Sequence, residues 1–529
     1  DRPRDWVPAD VLVWTKIVSY MLSGNLDNEL QRWDLLMLLN VDKERIDSLL
    51  PKYDATKFPI ILEGEIPDSD MNGHNHSKQP KREPIFDWLA TPTGQDYKKK
   101  MAKAAHGGLS KSTPFAAFRK MFGPSTASNN WVISGNRTKS GKPIMANDPH
   151  LQLMAPSIWI LNRLSSPSFT AIGASFVGVP GVIIGHNNDI SWSVTNVGAD
   201  VQDLFIMDEL NHTHYKHNNK IYEYTIRREV ISVKHDDDIV MDVREASQYG
   251  PVISDLGTSF RPYDLSNGPS LALRWTSLDS TDTTFDAFLL INTATNWNEF
   301  QSALRYYRAP SQNMIYADRD GNIGYTTTGI VPIRPDDGTG LYPTPGTGEY
   351  DWEDEWVDFD DMPRVLNPKK GYIATANNAV VPDGYKVYIT GDWDSGSDGY
   401  RAKRITDMIT GTNSATGKPA STTPLHTVDT VKQMQSDVLS GVVLDFQNHI
   451  FPLLEPETVD GKNVLSEWKA WDGNMDVGSV NAQRFERFFL ALQSLPSKEV
   501  NQSRWSDAMW LLYTFTGKVD DPHCDWKDS

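Results

Sequence analysis

Apolar and polar positions alternate most regularly between residues 190 and 196. Ile190, Trp192 and Val194 occupy every second position and are separated by serine or threonine. A period of two residues predicts a β-strand with one apolar and one polar face. On this pattern Asn196 falls on the apolar side.

A second strand and a hairpin are predicted upstream. Residues 131–133 are Trp-Val-Ile, all of which favour strands, and Ser140 and Gly141 supply a turn. Residues 143–146 can then return as the antiparallel partner. The region therefore contributes at least two neighbouring strands.

Apolar residues at helical spacing occur towards the two ends of the chain. Near the start they are Pro8, Val11, Trp14, Val18, Met21, Leu30, Trp33 and Met37. Beyond residue 400 they are Val431, Met434, Val438, Val442, Phe446, Phe485, Phe488, Phe489 and Leu492. Between residues 200 and 400, short strands and turns are expected, with no dominant helical period. Strands in the middle with helices around them predict the α+β class.

Composition narrows the range of functions. The 529 residues are 39% hydrophobic, which is ample for large cores, and 51 basic against 69 acidic residues give a net charge of -18. This charge disfavours nucleic acids and anionic membranes as partners. No apolar run approaches the roughly 18 residues of a membrane span. The single cysteine, Cys524, supports neither a disulfide framework nor a thiolate metal site.

Ser128 opens a series of motifs but lies in no G-x-S-x-G elbow. Ser-Asn-Asn-Trp-Val-Ile-Ser-Gly begins there and is followed by Asn-Asp-Pro-His at 147–150, Gly-His-Asn at 185–187 and Ser-Trp at 191–192. Further ordered blocks lie at 318–325, 345–348, 371–378 and 400–405. Together they resemble the penicillin acylase family of N-terminal nucleophile hydrolases. The resemblance implies a four-layer αββα sandwich with surrounding helices.

The resemblance also implies that Ser128 becomes a catalytic chain terminus after cleavage of the Ala127–Ser128 bond. A serine hydroxyl needs a base, and an α-amine with a reference pKa near 7.7 to 8.0 can act as one. By resemblance, the Asn196 backbone N–H and the Asn377 side-chain amide stabilise the oxyanion. Arg401 matches the arginine that orients the amine and Asn377.

Four further positions bear on the substrate. His150 lies near the nucleophile in relatives, and the penicillin G branch has Gln there. The histidine therefore resembles the branch of cephalosporin and acyl-homoserine-lactone acylases. Leu151, Ile184 and Val194 match acyl-pocket positions that are Phe, Phe and Ser in phenylacetyl-selective relatives. Branched aliphatic walls predict an aliphatic acyl group.

A structural calcium ion is the predicted cofactor. Asp200 and Asp203 are spaced so that two carboxylates can converge on one hard cation, which takes six to eight oxygen ligands. By resemblance the ligands are Glu29, Asp200, Gln202, Asp203, Gly340 and Asp392. Glu29 also has a simpler explanation, because the helix dipole favours an acid in the first turn of a helix.

Three segments are expected. Residues 1–77 resemble the helical part of an α-subunit, residues 78–127 a linker or spacer peptide, and residues 128–529 a β-subunit that includes the helical region 400–529. The second segment carries ten basic and three acidic residues, a pattern that a solvated surface would also produce. The resemblance implies two chains from one precursor, which form a heterodimer, with further segments beyond both ends of this sequence.

An exported protein is expected from the family's usual location, either secreted or periplasmic. Four N-x-[ST] triplets, which are the acceptor sites for N-glycosylation, are compatible with a glycosylating host; they begin at Asn75, Asn136, Asn211 and Asn501.

The leading hypothesis is a self-processing amidohydrolase that cleaves a small-molecule N-acyl amide through a serine ester. One alternative is a catalytically inactive, calcium-stabilised relative with a binding or structural role. Another is a glycosidase that uses paired carboxylates and some of the 17 tryptophans.

Overall fold

The computed structural model describes residues 5–37, 43–49, 55, 58–71, 84–104, 127–151, 153–255, 270–335, 340–391 and 399–493. Its strands are β1 (Ala127–Ile133), β2 (Ile144–His150), β3 (Trp159–Ser165), β4 (Thr170–Phe176), β5 (Ile184–His186), β6 (Ile190–Asn196), β7 (Gln202–Asn211), β8 (His214–His217), β9 (Lys220–Glu223), β10 (Thr225–Ile231), β11 (Ile239–Ala246), β12 (Gly250–Pro251), β13 (Leu271–Trp275), β14 (Gln312–Asp318), β15 (Ile323–Thr328), β16 (Thr344–Gly346), β17 (Arg364–Leu366) and β18 (Tyr372–Thr375). Its helices are α1 (Pro8–Leu22), α2 (Asn25–Met37), α3 (Lys43–Leu49), α4 (Pro84–Ala90), α5 (Pro92–Ala104), α6 (Thr284–Thr293), α7 (Trp297–Leu304), α8 (Tyr400–Thr410), α9 (Val428–Gln435), α10 (Gly441–Asp445), α11 (Val459–Ala470) and α12 (Val480–Gln493).

Two sheets face each other at the centre of the molecule. The smaller has the order β18-β1-β2, and the larger has the order β17-β15-β14-β6-β5-β4-β3. Val132 and Ile373 of the small sheet are buried against Ile315 and Tyr325 of the large sheet. The predicted hairpin is confirmed, because β1 and β2 pair antiparallel and Gly141 takes a positive φ of 69° in the connection.

Helices cover the outer faces of both sheets. Trp131 of β1 packs against Ile405 of α8 and Val431 of α9. On the outer face of the large sheet, Trp192 of β6 lies in one buried cluster with Phe288 of α6 and with residues of α7. The layers therefore run helix, sheet, sheet, helix, which confirms the predicted α+β class and αββα sandwich.

Helices α6 and α7 contradict the expectation of no dominant helical period before residue 400. Ala287 and Ile291 of α6 are buried, but the intervening Leu289 and Leu290 are apolar and exposed. Apolar residues on both faces obscure the helical period. A local signal was present for α7, because the side chain of its N-cap residue Asn296 accepts a hydrogen bond from the Glu299 N–H.

A second sheet system lies beside the sandwich. Its order is β13-β7-β8-β9, and β16 pairs with β7 in parallel. Helix α2 buries Trp33 and Leu35 in a cluster with Leu204 of β7. Ile85 of α4, inside the predicted spacer, is fully buried in the same cluster. Part of the predicted spacer is thus helical and packed against the core.

Residues 58–71 lie along the sandwich near the end of β18. The backbone N–H groups of Ile60 and Ile61 donate to the carbonyl oxygens of Ala379 and Val380, at 2.9 and 3.0 Å. These bonds tie the upstream part of the chain to the segment that follows β18. In the described part of the chain, we find no helix with the length and apolar character of a membrane span.

Candidate active site

Ser128 lies in β1, opposite Pro149 of β2, and is 5% exposed. Its hydroxyl Oγ donates to the Ala127 carbonyl oxygen at 2.6 Å, and its backbone N–H donates to Asn377 Oδ1 at 2.8 Å. The hydroxyl is therefore beside the carbonyl of the peptide bond that precedes it. Removal of Ala127 would leave an α-amine at the same nitrogen, facing Asn377.

Asn377 lies just after β18 in the left-handed region, with a φ of 62° that asparagine tolerates better than most residues. Its Oδ1 accepts from the Ser128 N–H and from Arg401 Nη2, the latter at 3.1 Å. Its Nδ2 donates to the Asn196 carbonyl oxygen at 2.9 Å. These partners define the orientation of the amide, because only the nitrogen can donate to a carbonyl.

Arg401 is the second residue of α8, which packs on the outer face of the small sheet. Besides Asn377, its guanidinium donates to the Ser128 carbonyl oxygen at 2.7 Å and to Asn129 Oδ1 at 2.8 Å. Hydrogen bonds from a charged donor are stronger than neutral ones. Arg401 therefore holds the start of β1 and Asn377 in one arrangement.

The Asn196 carbonyl oxygen accepts from Asn377 Nδ2 at 2.9 Å and from Asn313 Nδ2 at 3.1 Å. On the edge of β6 that pairs with β14, the Val197 N–H donates to the carbonyl oxygen of Ser311, the residue before β14. On the opposite edge, the Val194 N–H donates to Asn147 Oδ1. Because N–H groups alternate along a strand, the Asn196 N–H shares the edge of Val194. On that edge the Asn147 side chain bonds to Val194 and to the Asn129 carbonyl oxygen, next to the start of β1.

His150 ends β2 and lies opposite Ala127 in the β1–β2 register. Its Nε2 lies 2.9 Å from Asp148 Oδ2, and its side chain is 37% exposed. The histidine is therefore close to the Ala127–Ser128 bond along the backbone, while its ring pairs with an aspartate on its own strand.

An apolar pocket opens beside Ser128 and encloses about 740 Å³ including its open mouth. Two of the three predicted acyl-pocket residues, Leu151 and Val194, line this pocket. At the third position the lining residue is Ile183, and the predicted Ile184 is not part of the lining. Helix α1 contributes Thr15, Val18 and Leu22. The aromatic walls are Trp159, Phe176, Phe285, Phe288 and Tyr307.

Sequence reasoning missed the pocket residues of α6 because that helix was not predicted. It also missed the link between α1 and Asn196, whose Nδ2 donates to the Leu22 carbonyl oxygen at the end of α1, at 2.7 Å. No local pattern identifies this contact. A Thr283-Thr284 pair after Asp282 was the available signal for α6.

Five of the six predicted calcium residues meet at the start of β7, three of them through buried carboxylates. Glu29, Asp200 and Asp203 are each at most 3% exposed. The Arg334 guanidinium donates to Asp203 Oδ1 at 2.7 Å and to Asp200 Oδ1 at 3.0 Å. Both Glu29 carboxylate oxygens accept from the Leu204 N–H at 3.1 Å. Burial, together with the negative charge of Asp203, raises the pKa of Glu29 well above its ordinary value.

Of the other three predicted ligands, two lie beside these carboxylates and one is not described by the structure. The Gln202 carbonyl oxygen accepts from Asn25 Nδ2 at 2.6 Å. Gly340, with a φ of 68°, lies so close that an added Cβ would be 2.5 Å from Asp203 Oδ1. Asp392 falls outside the described residues. The structure thus brings Glu29, Gln202, Asp203 and Gly340 together with Asp200.

The chain was compared with known proteins. The sequence profile of the penicillin amidase family matches residues 1–529. The chain belongs to the penicillin amidase family. An acyl-homoserine lactone acylase QuiP from Pseudomonas aeruginosa is 28% identical over 508 residues, covering 92% of this chain and 54% of the relative. The penicillin acylase 2 proenzyme of Pseudomonas sp. strain SE83 is 31% identical over 372 residues, covering 70% of this chain and 45% of the relative.

This member of the penicillin amidase family thus spans about half the length of the curated relatives it matches. A solved structure, the thermostable penicillin G acylase from Alcaligenes faecalis, aligns with a TM-score of 0.58 at 24% identity. The alignment covers 71% of this chain and 67% of that chain. This alignment shows that the two chains share a fold. The predicted family resemblance is confirmed by the match of the sequence profile.

The residues of the acidic cluster are chemically suited to calcium, since every donor is a hard oxygen. The side-chain oxygen Oδ1 of buried Asn25 has no hydrogen-bond partner among the described residues. Two observations count against a calcium site that is already formed in this structure. Arg334 and Asn25 already bond to oxygens of Asp200, and the described ranges hold no group of three His, Cys, Asp or Glu side chains arranged to bind a metal.

Proposed function

We propose that this chain is the central part of a self-processing amidohydrolase that cleaves linear N-acyl amides with Ser128. The observation that carries the proposal is the arrangement of Asn377. One side-chain amide bonds to the Ser128 N–H, to Arg401 and to the Asn196 carbonyl, and both Ser128 and Asn196 line an apolar pocket.

Self-processing would begin with the Ser128 hydroxyl. Its Oγ attacks the carbonyl carbon of Ala127, the hydroxyl proton passes to the peptide nitrogen, the C–N bond breaks, and that nitrogen becomes the amine of Ser128. Water then hydrolyses the resulting ester and leaves the Ala127 carboxylate. The 2.6 Å contact between Oγ and the Ala127 carbonyl oxygen supports this step, because the attacked carbon is bonded to that oxygen.

In the processed form the Ser128 amine accepts the hydroxyl proton while Oγ attacks the substrate amide carbon. The negative charge that develops on the substrate oxygen is stabilised by the Asn196 N–H and the Asn377 amide. The amine proton passes to the leaving nitrogen as the C–N bond breaks. Water then releases the acid from the ester. The neutral amides carry no charge that would oppose deprotonation of the amine.

The pocket next to Ser128 is assigned to the acyl group. Its lining combines aliphatic and aromatic side chains, with few polar groups. Leu151 and Val194 support an aliphatic acyl chain, whereas Trp159 and Phe176, which stack with ring centroids 4.3 Å apart, give the pocket an aromatic wall as well. His150 lies outside this lining and is assigned to the neighbourhood of the scissile bond.

Structural calcium remains part of the proposal. Glu29, Asp200, Asp203 and the carbonyls of Gln202 and Gly340 would hold it, and its charge would balance buried carboxylates. In this arrangement Arg334 would share Asp200 and Asp203 with the ion. The site would tie α2 to β7.

We further propose two chains from one precursor and a secreted or periplasmic location. The proenzyme named among the relatives supports processing into two chains. The triplet asparagines Asn136 and Asn211 are exposed, whereas Asn75 and Asn501 lie outside the described residues.

N-terminal sequencing of the complete protein tests the nucleophile directly. A fragment that begins Ser-Asn-Asn-Trp is expected. Ser128→Ala should stay uncut, Ser128→Cys should still be processed because a thiolate can attack the same bond, and Ser134→Ala in the same hairpin should be processed normally. An uncut wild-type protein without amidase activity would instead support the inactive relative.

A further inference from the structure

Asn147 lies in β2, but its side chain bonds to β6 of the other sheet. Its Nδ2 donates to the Val194 carbonyl oxygen and its Oδ1 accepts from the Val194 N–H, at 3.0 and 3.1 Å. The same Nδ2 also donates to the Asn129 carbonyl oxygen at 3.0 Å. One side chain therefore satisfies a strand residue in the way a neighbouring strand would.

The position of this contact along β6 gives it a consequence for the active site. On the same edge of β6, strand β5 pairs with Trp192, Asn147 bonds to Val194, and Asn377 donates to the Asn196 carbonyl. Asn147 therefore fixes the peptide two residues before the Asn196 N–H. It joins that edge to Asn129, the residue after the nucleophile.

We propose that Asn147 is a positioning residue that sets the distance and direction of the Asn196 N–H relative to Ser128 Oγ. The inference rests on the proposed function. Without this side chain, the Val194 backbone would lose both of its bonds to β2, and the contact of Asn130 with the Ser193 side chain would not replace them, because it holds no backbone group of β6. An oxyanion donor misplaced by about 1 Å costs on the order of 100-fold in rate.

Asn147→Asp separates position from packing because the two side chains have nearly the same shape. The carboxylate can still accept from the Val194 N–H, but it faces the carbonyl oxygens of Val194 and Asn129 and cannot donate to them. Partial burial and these carbonyls should raise the pKa of the introduced carboxyl group. Once protonated, the group has one O–H donor for one of the two carbonyl oxygens, whereas the amide donates to both, so the recovery should be partial.

Asn292→Asp is a matched control. The Asn292 side chain makes the same pair of bonds to the Val182 backbone, both at 2.7 Å. It lies on α6, which covers the large sheet. It bonds to neither β1 nor β6 in these contacts. A loss that comes only from breaking such a pair of amide bonds should be at least as large in Asn292→Asp, because Asn292 is the more buried of the two side chains.

The experiment measures kcat, KM and melting temperature for the complete, processed wild-type, Asn147→Asp, Asn147→Ala and Asn292→Asp proteins with a straight-chain acyl p-nitroanilide. We expect kcat to fall about 10- to 100-fold in both Asn147 variants with little change in KM. The ratio of Asn147→Asp to wild-type kcat should rise as pH falls from about 8 to about 5, since the protonated acid can donate. Asn147→Ala should show no such recovery.

Two results would overturn the inference. One is a kcat for Asn147→Asp no lower than that of Asn292→Asp at matched folded fraction. The other is a loss confined to KM. If wild-type protein forms no acyl-enzyme with any N-acyl amide, the proposed function itself fails and the role of Asn147 fails with it.

Discussion

Two buried polar clusters, one around Ser128 and one around Glu29, both include residues of the segment 196–203, and they are built from different chemistry. Around Ser128 the groups that meet are mainly neutral amides, with Arg401 as the charged donor. Around Glu29 the groups are carboxylates and a guanidinium. The first cluster orders atoms by hydrogen-bond direction, whereas the second depends on balancing charge.

The difference has a physical reason. An amide donates and accepts without titrating, so it can orient Ser128 while the charge of the amine stays free to change during a reaction. A buried carboxylate without a counter-charge is costly, so the acidic cluster contains Arg334 and is a candidate for calcium. Mutations should therefore affect rate at the amide cluster and stability at the acidic cluster.

The largest effect is expected for Arg334→Met. Removal of the guanidinium leaves Asp200 and Asp203 buried without their ion pair, which should cost about 3–5 kcal/mol of unfolding free energy. Urea denaturation measures this loss. Arg228→Met, which removes an exposed pair with Asp242, should leave the transition unchanged. Equal transitions for both variants would mean that Arg334 does not neutralise the cluster.

Asn377→Asp tests the amide cluster. The variant keeps an acceptor for the Ser128 N–H but loses the donor to the Asn196 carbonyl and to an oxyanion. We expect kcat to fall about 10²- to 10³-fold, or about 2.7–4 kcal/mol, with stability nearly unchanged. Asn367→Asp is the control, because Asn367 has a similar φ of 52°. A kcat within a few fold of wild type would exclude Asn377 from oxyanion stabilisation.

Removal of calcium should have the next largest effect. An ion bound only to the folded state at about 100 times its Kd stabilises it by about 2.7 kcal/mol. Chelator should therefore lower the melting temperature, and added calcium should restore it. An unchanged melting temperature, with no metal by elemental analysis, would leave Arg334 as the group that neutralises the cluster.

The smallest expected effect is the change in kcat/KM for each carbon added to the acyl chain in the pocket. Each buried methylene contributes about 0.8 kcal/mol, so kcat/KM should rise about fourfold per added acyl carbon until the pocket is full, and then fall. Leu151→Phe should move the optimum to a shorter chain, and fully exposed Leu153→Phe should not. A flat profile, or phenylacetyl p-nitroanilide as the best substrate, would argue against an aliphatic preference.

Much of the fold could be predicted from local pattern. The alternation in β6 is confirmed, yet both of its faces are buried, with Ser193 and Thr195 each 1% exposed between the two sheets. Asn130 Nδ2 donates to Ser193 Oγ at 3.2 Å across that interface. A period of two identifies two faces, but it cannot tell whether the polar face meets water or another sheet.

For the site, the ordered motifs placed Ser128, Asn196, Asn377 and Arg401 in one proposal, and the structure brings them together. Their catalytic roles stay predictions. The pocket wall differs from expectation at one position, since Ile183 lines it in place of Ile184. Ile183 comes just before β5, whereas Ile184 is its first residue, and the motif did not indicate which of these adjacent side chains would line the pocket.

Local period and motif order were enough to predict the family, the α+β class and the residue types available for chemistry. The contact of Asn147 with β6, the place of Arg334 among the acidic residues and the contribution of α1 and α6 to the pocket are seen only in the folded molecule. Each of these contacts joins residues far apart in the chain. Such contacts form when layers pack, and no local period records them.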